Sequence, residues 1–324
     1  MYPLPVVFWI MEEYPRSLSE FETCFSSEEA CRAYLFRLRW PEGFRCPHCQ
    51  HDKAWITGEL YQCAQCGYKA SVVSGTIFQD THKPLQTWFR AVWWVVSQKN
   101  GVSALGLQRV LGLGSYRTAW VWLHKLRRAM VRPGRDRLSG NLEVDEAYLG
   151  GHEEGVRGRK TLKKALIAIA AQEDGKGIGR IRMRRIQDAS AGSLVAFIEE
   201  TIVPGSLVHT DGWEGYAGLE SKGYRHKTTV IRQRKEAASE LLPRVHRVAS
   251  LLKRWLMGTH QGAVSPEHLD YYLDEFTFRF NRRTSSHRGK LFYRLLQQSV
   301  ATAPEPYQKL IKNRRSRKKE NHYR

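Results

Sequence analysis

Residues 142–149 read Leu-Glu-Val-Asp-Glu-Ala-Tyr-Leu and stop at Gly150-Gly151. Strand-forming residues dominate this stretch and a glycine pair ends it, so it predicts a β-strand that carries Asp145. The uninterrupted apolar run at 165–171 predicts a second, buried strand. At 178–186 apolar residues alternate with arginines, which predicts a third strand with one polar face.

The elements that follow complete an α/β pattern. We predict a helix over 190–202, a strand over 206–211, a further strand over 226–231 and a helix over 243–257 that begins at a proline. Three strands, a helix, a strand, a helix, a strand and a helix is the order of the ribonuclease-H-like fold. The sequence therefore predicts a ribonuclease-H-like domain in this part of the chain.

Two carboxylates are placed to meet in that fold. Asp145 lies on the first strand, and Asp211 ends the fourth, 66 positions later. The first and fourth strands are neighbours in this arrangement, so the two side chains should converge. Anionic oxygen is what Mg²⁺ and Mn²⁺ prefer, and two such ions can activate a water or a 3′-hydroxyl at a phosphodiester. We predict two catalytic Mg²⁺ or Mn²⁺ ions here.

A third ligand is expected on the following helix, about 35 residues beyond Asp211, where His246 stands. Lys253 lies seven residues further, on the same helix face, and is expected to hold a DNA phosphate. Glu240 is a competing third ligand, although it precedes the helix, and Glu275 or no third ligand remain as further alternatives.

Polar neighbours surround these positions. Glu143 shares the strand face of Asp145 and is expected to support the site or to form a salt bridge. His209 shares the strand face of Asp211 and is expected to support that residue. Glu146 is adjacent to Asp145 and has no assigned role.

Two cysteine pairs predict a metal site. Cys46-Pro-His-Cys49 and Cys63-Ala-Gln-Cys66, the latter followed by Gly67, supply four thiolates, a soft tetrahedral set that suits Zn²⁺. Four protein ligands leave no open position, so the single zinc ion should be structural. Short strands at 54–56 and 60–62 would form a zinc ribbon around it.

The segment between the ribbon and the α/β region is predicted to be helical. A wide apolar face covers 84–98. A stretch from Gly101 with apolar residues up to Leu111 leads into a glycine turn at 112–115, and a helix over 116–130 follows. This is the outline of a helix-turn-helix, although a plain helical hairpin gives the same pattern. Four basic side chains of the last helix are expected to face DNA phosphates: Arg117, Lys125, Arg127 and Arg128.

The composition and charge of the chain limit the kinds of partner that it can bind. The 324 residues include 52 Lys and Arg against 32 Asp and Glu, a formal net charge of +20. The apolar fraction of 42% supports packed cores and excludes a disordered or collagen-like chain. No apolar run approaches the length of a membrane helix, and no secretory leader is evident. Basic clusters at 125–137, 157–164 and 312–319 favour a polyanion, although charge alone does not separate RNA from DNA.

Taken together, these motifs resemble a known family. The stretches 144–151, 209–213, 251–260 and 272–283, with the cysteine pairs, are similar to insertion-sequence transposases of the DDE type that carry a zinc ribbon, the ISXO-like group. The resemblance spans roughly residues 28–298. It implies binding of element ends, and metal-dependent cleavage and strand transfer of double-stranded DNA. It also implies a homodimer or higher oligomer, and a cytoplasmic, nucleoid-associated bacterial protein.

The resemblance has one departure. The third position of the family's triad is usually Glu, whereas His246 stands here. The family tolerates Glu, Asn or His at this step. Imidazole binds Mn²⁺ better than Mg²⁺, so the departure bears on the choice of metal.

The predicted domains are an N-terminal helical segment (1–40), a zinc ribbon (41–78), a helix-turn-helix-like domain (79–138), a ribonuclease-H-like catalytic domain (139–300) and a basic tail (301–324). Further DNA contacts are expected at Lys253, Arg254, Arg282 and Arg283. Two other functions fit part of the pattern. A nuclease of the same fold would cut without joining, and a zinc-ribbon regulator would bind DNA without enzymatic activity.

Overall fold

The structure, a computed structural model, describes residues 14–132, 134–151, 164–230, 238–262, 264–308 and 310–311. The chain divides into two compact units. One comprises Met1–Met130 with Ser285–Arg324, and the other comprises Val131–Thr284. The basic run at 312–319 and most of that at 157–164 lie outside the described residues.

The first unit opens with two capped helices and a small sheet. Helices α1 (Leu18–Cys24) and α2 (Glu28–Arg39) begin at Ser17 and Ser27, whose side chains accept backbone N–H groups of the first turn. Strands β1 (Ala54–Thr57), β2 (Leu60–Cys63) and β3 (Lys69–Ala70) form an antiparallel sheet in the order β1-β2-β3. The first unit therefore contains both helices and a small antiparallel sheet, as expected for a ribbon.

Three further helices follow: α3 (Leu85–Ser97), α4 (Ala104–Leu111) and α5 (Tyr116–Ala129). The bounds of α3 and α5 are close to those predicted. Most of the α3 side chains are buried, in keeping with its wide apolar face. Gly112 adopts a left-handed conformation and ends α4, and Ser115 accepts the Arg117 N–H to begin α5. The glycine turn between α4 and α5 is therefore present.

The second unit is built on a mixed sheet. Its strands are β4 (Asn141–Leu149), β5 (Ala165–Asp174), β6 (Gly177–Ile186), β7 (Leu207–Thr210) and β8 (Arg225–Thr228). Their spatial order is β6-β5-β4-β7-β8. The pairs β4–β5 and β5–β6 are antiparallel, and β4–β7 and β7–β8 are parallel. The first and fourth strands of this unit are thus neighbours.

Helices cover both faces of this sheet: α6 (Ala191–Thr201), α7 (Ala238–Leu241), α8 (Pro243–His260) and α9 (Leu269–Asn281). Helices α8 and α9 pack on one face with Ile167 and Ile169 of β5, and α6 packs on the other with Leu166 and Ala168. Side chains of a strand alternate between faces, so the apolar run of β5 serves both cores.

The last helix, α10 (Arg288–Ala301), belongs to the first unit. It packs against α2, α3 and α5. Phe292 is fully buried, and its ring centroid lies 5.4 Å from that of Phe21 and 5.7 Å from those of Phe89 and Trp93. The predicted catalytic domain, 139–300, includes this helix, whereas the α/β unit of the structure ends at Thr284.

Among the described residues, no helix combines the length and the apolar character needed to cross a membrane.

Candidate functional site

The four paired cysteines converge in the first unit. Their sulfur atoms all lie within 4.8 Å of one another. The Sγ atoms of Cys46 and Cys66 are 3.6 Å apart, and those of Cys49 and Cys63 are 3.5 Å apart. Gly67 after the second pair has a φ of +70°, which the tight turn requires. Four thiols gathered this closely fit one tetrahedral Zn²⁺.

The pKa of the Cys63 thiol suits that role. Burial acts to raise this pKa, but hydrogen bonds from the backbone of Cys66 and Gln65 and from neighbouring cysteines outweigh burial and lower it to about 6. Cys63 therefore favours the thiolate, which is the form that binds zinc. At Cys49 a backbone hydrogen bond with His51 acts to lower the pKa, but burial and hydrogen bonds with the other three cysteines raise it to about 12.

In the second unit, the structure brings Asp145 of β4 and His246 of α8 together. The Nε2 atom of His246 lies 3.7 Å from Oδ2 of Asp145. This Nε2 atom is buried and has no hydrogen-bond partner among the described residues. The other oxygen of Asp145, Oδ1, accepts the Glu146 N–H at 2.8 Å. An imidazole nitrogen and a carboxylate oxygen thus face each other without a direct hydrogen bond.

Asp211 approaches the same place from β7. The parallel register of β4 and β7 pairs Leu142 with Val208 and Glu143 with His209, an offset of 66 residues that sets Asp211 level with Asp145. Oδ1 of Asp211 accepts the Trp213 N–H at 2.9 Å, which fixes the carboxylate at the strand end.

The charged groups around His246 shift the pKa of its imidazole. Burial lowers the pKa of His246, while Glu143 and Asp211 act to raise it and Lys253 to lower it. The net direction is downward, so the imidazole of His246 is neutral at neutral pH and its nitrogen lone pair is available to a metal.

The donor set fits a divalent cation. Ligand atoms about 2.1 Å from a metal are separated by about 3 Å when adjacent and about 4.2 Å when opposite, and the 3.7 Å between Asp145 and His246 falls in this range. Within the described ranges, only the four cysteines gather three or more ligand atoms within 4.8 Å of one another. Asp145, Asp211 and His246 are therefore more widely spread than a closed structural site.

Glu143 anchors the helix that carries His246. Its side chain is buried, and Oε2 accepts the N–H groups of Arg244 at 2.6 Å and Val245 at 3.0 Å. Oε1 pairs with the Arg244 guanidinium at 2.9 Å. The residue before α8 is Leu242, which offers no capping side chain. Glu143 therefore supplies the missing N-terminal acceptor from β4, and the salt bridge expected for this residue is present.

Other polar neighbours are held in the same region. Glu146 accepts the hydroxyl of the fully buried Tyr216 at 2.8 Å. Burial raises the pKa of Tyr216 strongly, and the carboxylates of Glu146, Asp145 and Asp211 add to that effect. His209 Nε2 bonds Thr229 Oγ1 at 2.7 Å. The His209 contact orders the strand end that precedes Asp211.

The two alternative third ligands lie elsewhere. Glu240 is exposed on the short helix α7. Glu275 is 1% exposed on α9, which packs on the edge strand β6, and it pairs with Arg279 at 2.7 Å.

The side chains expected to contact DNA from α5 differ in exposure. Arg117 and Arg128 are exposed. Lys125 is half-buried, and its Nζ donates to the Gln79 carbonyl at 3.3 Å. Arg127 is 2% exposed. The expectation that Arg127 faces a phosphate is corrected by its place inside the helical core, where a DNA backbone cannot reach it.

The residues of the second unit that are expected to contact DNA also differ in their surroundings. Lys253 and Arg254 are exposed on α8. Arg282 lies over the Phe278 ring at 4.2 Å, and Arg283 donates to backbone carbonyls of β6, including that of Ile178. These contacts give Arg282 and Arg283 structural roles beside any role at DNA.

Sequence reasoning missed two features of this site. The pairing of Glu143 with the start of α8 joins residues 101 positions apart, and only the absence of a capping side chain before Pro243 hinted at it. The ring of Trp213 donates to the Ala189 carbonyl at 2.7 Å. No pattern in the sequence signals that bond.

Comparison with known proteins bears on both units. Residues 137–281 match the model of the ISXO2-like transposase domain, and residues 26–69 match that of the transposase zinc-ribbon domain. A protein described as "Uncharacterized protein in transposable element ISH50", from Halobacterium salinarum, is 26% identical over 275 residues, which cover 79% of this chain and 91% of that protein.

Proposed function

Because the chain belongs to the insertion-sequence transposases that carry a zinc ribbon, we propose that it binds the ends of its mobile element and catalyses metal-dependent cleavage and strand transfer of double-stranded DNA. The observation that supports this proposal is that Asp145 of β4, Asp211 after β7 and His246 of α8 lie on adjoining elements, with Nε2 of His246 3.7 Å from Oδ2 of Asp145.

We further infer that the second unit is ribonuclease-H-like. Support comes from the strand order β6-β5-β4-β7-β8, from the change from antiparallel to parallel pairing at β4, and from helices on both faces. In such a sheet the first and fourth strands place their carboxylates side by side.

Asp145, Asp211 and His246 would hold the catalytic ions, Mg²⁺ or Mn²⁺. Bound there, these ions would stabilise charge at the phosphodiester and activate the attacking hydroxyl. Glu143 keeps His246 in place through the first turn of α8. Lys253, exposed on the same helix, is suited to hold a phosphate of the bound strand.

In the first unit, α4, the turn at Gly112 and α5 support a helix-turn-helix, with Arg117 and Arg128 exposed toward DNA. The zinc centre would stabilise the ribbon and take no part in the chemistry. We propose that the protein acts as a homodimer or higher oligomer, since the reaction joins two element ends.

The test is a strand-transfer assay with the full-length protein and labelled DNA carrying the element's ends. Asp145→Asn and Asp211→Asn should abolish cleavage and joining, about a thousandfold or more in rate, and leave DNA binding close to wild type. Lys253→Ala should weaken engagement of the cut end without affecting metal binding.

The alternative functions give different results. Cleavage without joining by the wild-type protein would identify a nuclease, and binding without either step would identify a regulator. Activity of the Asp145→Asn variant equal to wild type would refute the assigned site.

A further inference from the structure

Strand β6 carries an arginine at every second position along part of its length. Arg180, Arg182 and Arg184 alternate with Ile181 and Met183, which belong to the core beneath α8 and α9. Successive side chains of a strand point to opposite faces of the sheet. The three arginines therefore lie on the other face, the one that α6 covers.

This face is not the one that carries the proposed catalytic residue of β4. Asp145 pairs with Ile169 of β5, whose side chain packs in the core with α8 and α9. Ala170, the partner of Arg182, packs instead in the core with α6. Residues directly opposite on paired strands share a face of the sheet. The sheet therefore separates these arginines from Asp145, and they lie outside the site described above.

Arg182 is the most buried of these arginines, with an exposed fraction of 5%. Its Nη1 atom donates to the Ile181 carbonyl at 3.0 Å, and its Nη2 atom donates to the Asp136 carbonyl at 2.6 Å. Among the described residues, neither hydrogen bond of this guanidinium goes to a carboxylate. Burying a charge against neutral carbonyls costs free energy, because an opposite charge does not offset the lost hydration.

Like charges surround Arg182. Arg180 lies two residues away along β6, about 7 Å, and Arg135 precedes the residue whose carbonyl Arg182 binds. Burial lowers the pKa of Arg182 to about 10, and Arg135, Arg180 and Arg282 act in the same direction, whereas the carboxylate of Asp136 acts to raise it. Arg135, Arg180, Arg182 and Arg282 thus form an arginine cluster in the second unit.

The carboxylates near this cluster do not balance its charge. Asp136 lies 3.8 Å from Arg132, and Glu200 pairs with Arg184. Asp274 is a third carboxylate, which acts on the cluster through Arg135. Among the described residues, these contacts bring three carboxylates together with six arginines: Arg132, Arg135, Arg180, Arg182, Arg184 and Arg282. The region therefore keeps an excess of positive charge, which attracts an anion.

We propose that the arginine cluster binds a phosphate group of the backbone of double-stranded DNA, at a position separate from the reacting phosphodiester. The proposal rests on the proposed function, which supplies the DNA. Arg180 is exposed and offers its guanidinium to a phosphate from solvent, while the buried Arg182 adds to the positive field. Phosphate oxygens accept from planar guanidinium groups and supply the opposite charge.

The first experiment measures DNA affinity against salt concentration, without catalysis. Full-length protein carrying Asp145→Asn is titrated with a labelled duplex in the absence of divalent metal. Adding Arg180→Gln should reduce the slope of log affinity against log salt by about one, because one phosphate contact is lost. Arg180→Lys keeps the charge and should retain most of the slope.

A matched control comes from the opposite edge of the same sheet. Arg225 is an exposed arginine of β8, and Arg225→Gln should leave the slope unchanged. Misfolding is excluded by urea unfolding of the Arg180 variants. Arg180 donates to the exposed side chain of Gln172 at 3.4 Å, so its replacement should leave the unfolding midpoint unchanged.

The second experiment separates a DNA phosphate from a free one. Thermal unfolding of the same Asp145→Asn protein is followed with sodium phosphate or with sodium chloride at equal ionic strength. The two salts should give the same midpoint, because the cluster binds a phosphate that the duplex holds in place. A higher midpoint in phosphate that Arg180→Gln abolishes, with an unchanged salt slope for DNA, would assign the cluster to free phosphate and overturn the proposal.

An unchanged slope in Arg180→Gln, or an equal loss in Arg225→Gln, would also overturn it. So would a change of slope with duplex RNA that is absent with DNA. The two proposals fail separately. Wild-type protein that neither cuts nor joins would refute the transposase chemistry, while the salt titration would still report on the arginine cluster.

Discussion

Replacing Glu143 with glutamine tests whether this residue positions α8 or binds metal. The carboxylate accepts two backbone N–H groups and pairs with Arg244, all from a buried position. Glutamine keeps one acceptor oxygen but loses the charge, and it turns an NH₂ group toward donors that need an acceptor.

The magnitude follows from these contacts. Breaking a buried ion pair by removing one partner destabilises by about 3–5 kcal/mol. Arg244 keeps Glu173 at 2.6 Å and the Gly175 carbonyl at 3.0 Å, so we expect a loss at or just below the lower end of this range, about 2–3 kcal/mol. Loss of the helix acceptor adds about 1 kcal/mol. We expect about 3–4 kcal/mol for Glu143→Ala and about 2 kcal/mol for Glu143→Gln.

The assay pairs urea unfolding with strand-transfer rate at a temperature where each variant is folded. Glu143→Gln should lower the free energy of unfolding and slow the reaction, because the first turn of α8 no longer holds His246 against Asp145. Glu173→Gln is the control. Its side chain also pairs with Arg244 but is 38% exposed and does not touch α8 amides, so it should change stability by less than about 1 kcal/mol and leave activity intact.

Two results would refute this reasoning. Stability within about 0.5 kcal/mol of wild type would show that Glu143 does not anchor the helix. Lost activity with unchanged or raised stability would assign Glu143 to the metal directly, since removing a carboxylate from a cluster of like charges relieves repulsion.

Three further predictions concern the metals and DNA. Wild-type strand transfer should be faster in Mn²⁺ than in Mg²⁺. The His246→Ala variant should lose activity with both metals, and His246→Glu should shift the preference toward Mg²⁺. If Glu240→Gln loses activity while His246→Ala keeps it, Glu240 is the third ligand instead. Cys63→Ser should release about one Zn²⁺ per chain, measured by mass spectrometry, and unfold the ribbon, whereas retention of zinc with intact end binding would argue against a four-thiolate centre. Arg128→Ala should weaken DNA binding and reduce the salt slope by about one, while Arg127→Ala should lower stability by about 1–3 kcal/mol; the opposite assignment of the two effects would contradict the burial of Arg127.

Local patterns predicted much of the architecture. The cysteine pairs predict the cluster of four thiols, because their spacing within a short hairpin fixes their geometry. The strand that carries Asp145 and the apolar run of β5 were evident because period and composition are local properties. The neighbouring positions of β4 and β7 agree with the expected topology.

The features that the sequence did not predict depend on contacts between segments that are distant in the chain. An amphipathic pattern predicts that a helix packs against a core but does not indicate which core. The position of α10 in the first unit could therefore not be predicted from the sequence. Arg127 sits in a basic cluster of the sequence, and only the rotation of α5 in the core shows that its side chain points inward. The roles of Glu143 at α8 and of Trp213 at Ala189 join distant segments, and a single sequence carries no local mark of such contacts.

The burial of Phe292 among aromatic side chains of α1 and α3 has a consequence for synthesis of the protein. The α/β unit is inserted, in chain order, between two parts of the first unit. A ribosome therefore completes the whole α/β unit before it releases the helix that packs in the aromatic core of the first unit. A message cut short before codon 288 yields a first unit whose aromatic core lacks its last helix. We expect the first unit of such a truncated product to be less stable than that of the intact protein, because the aromatic side chains around Phe292 lose their packing partner.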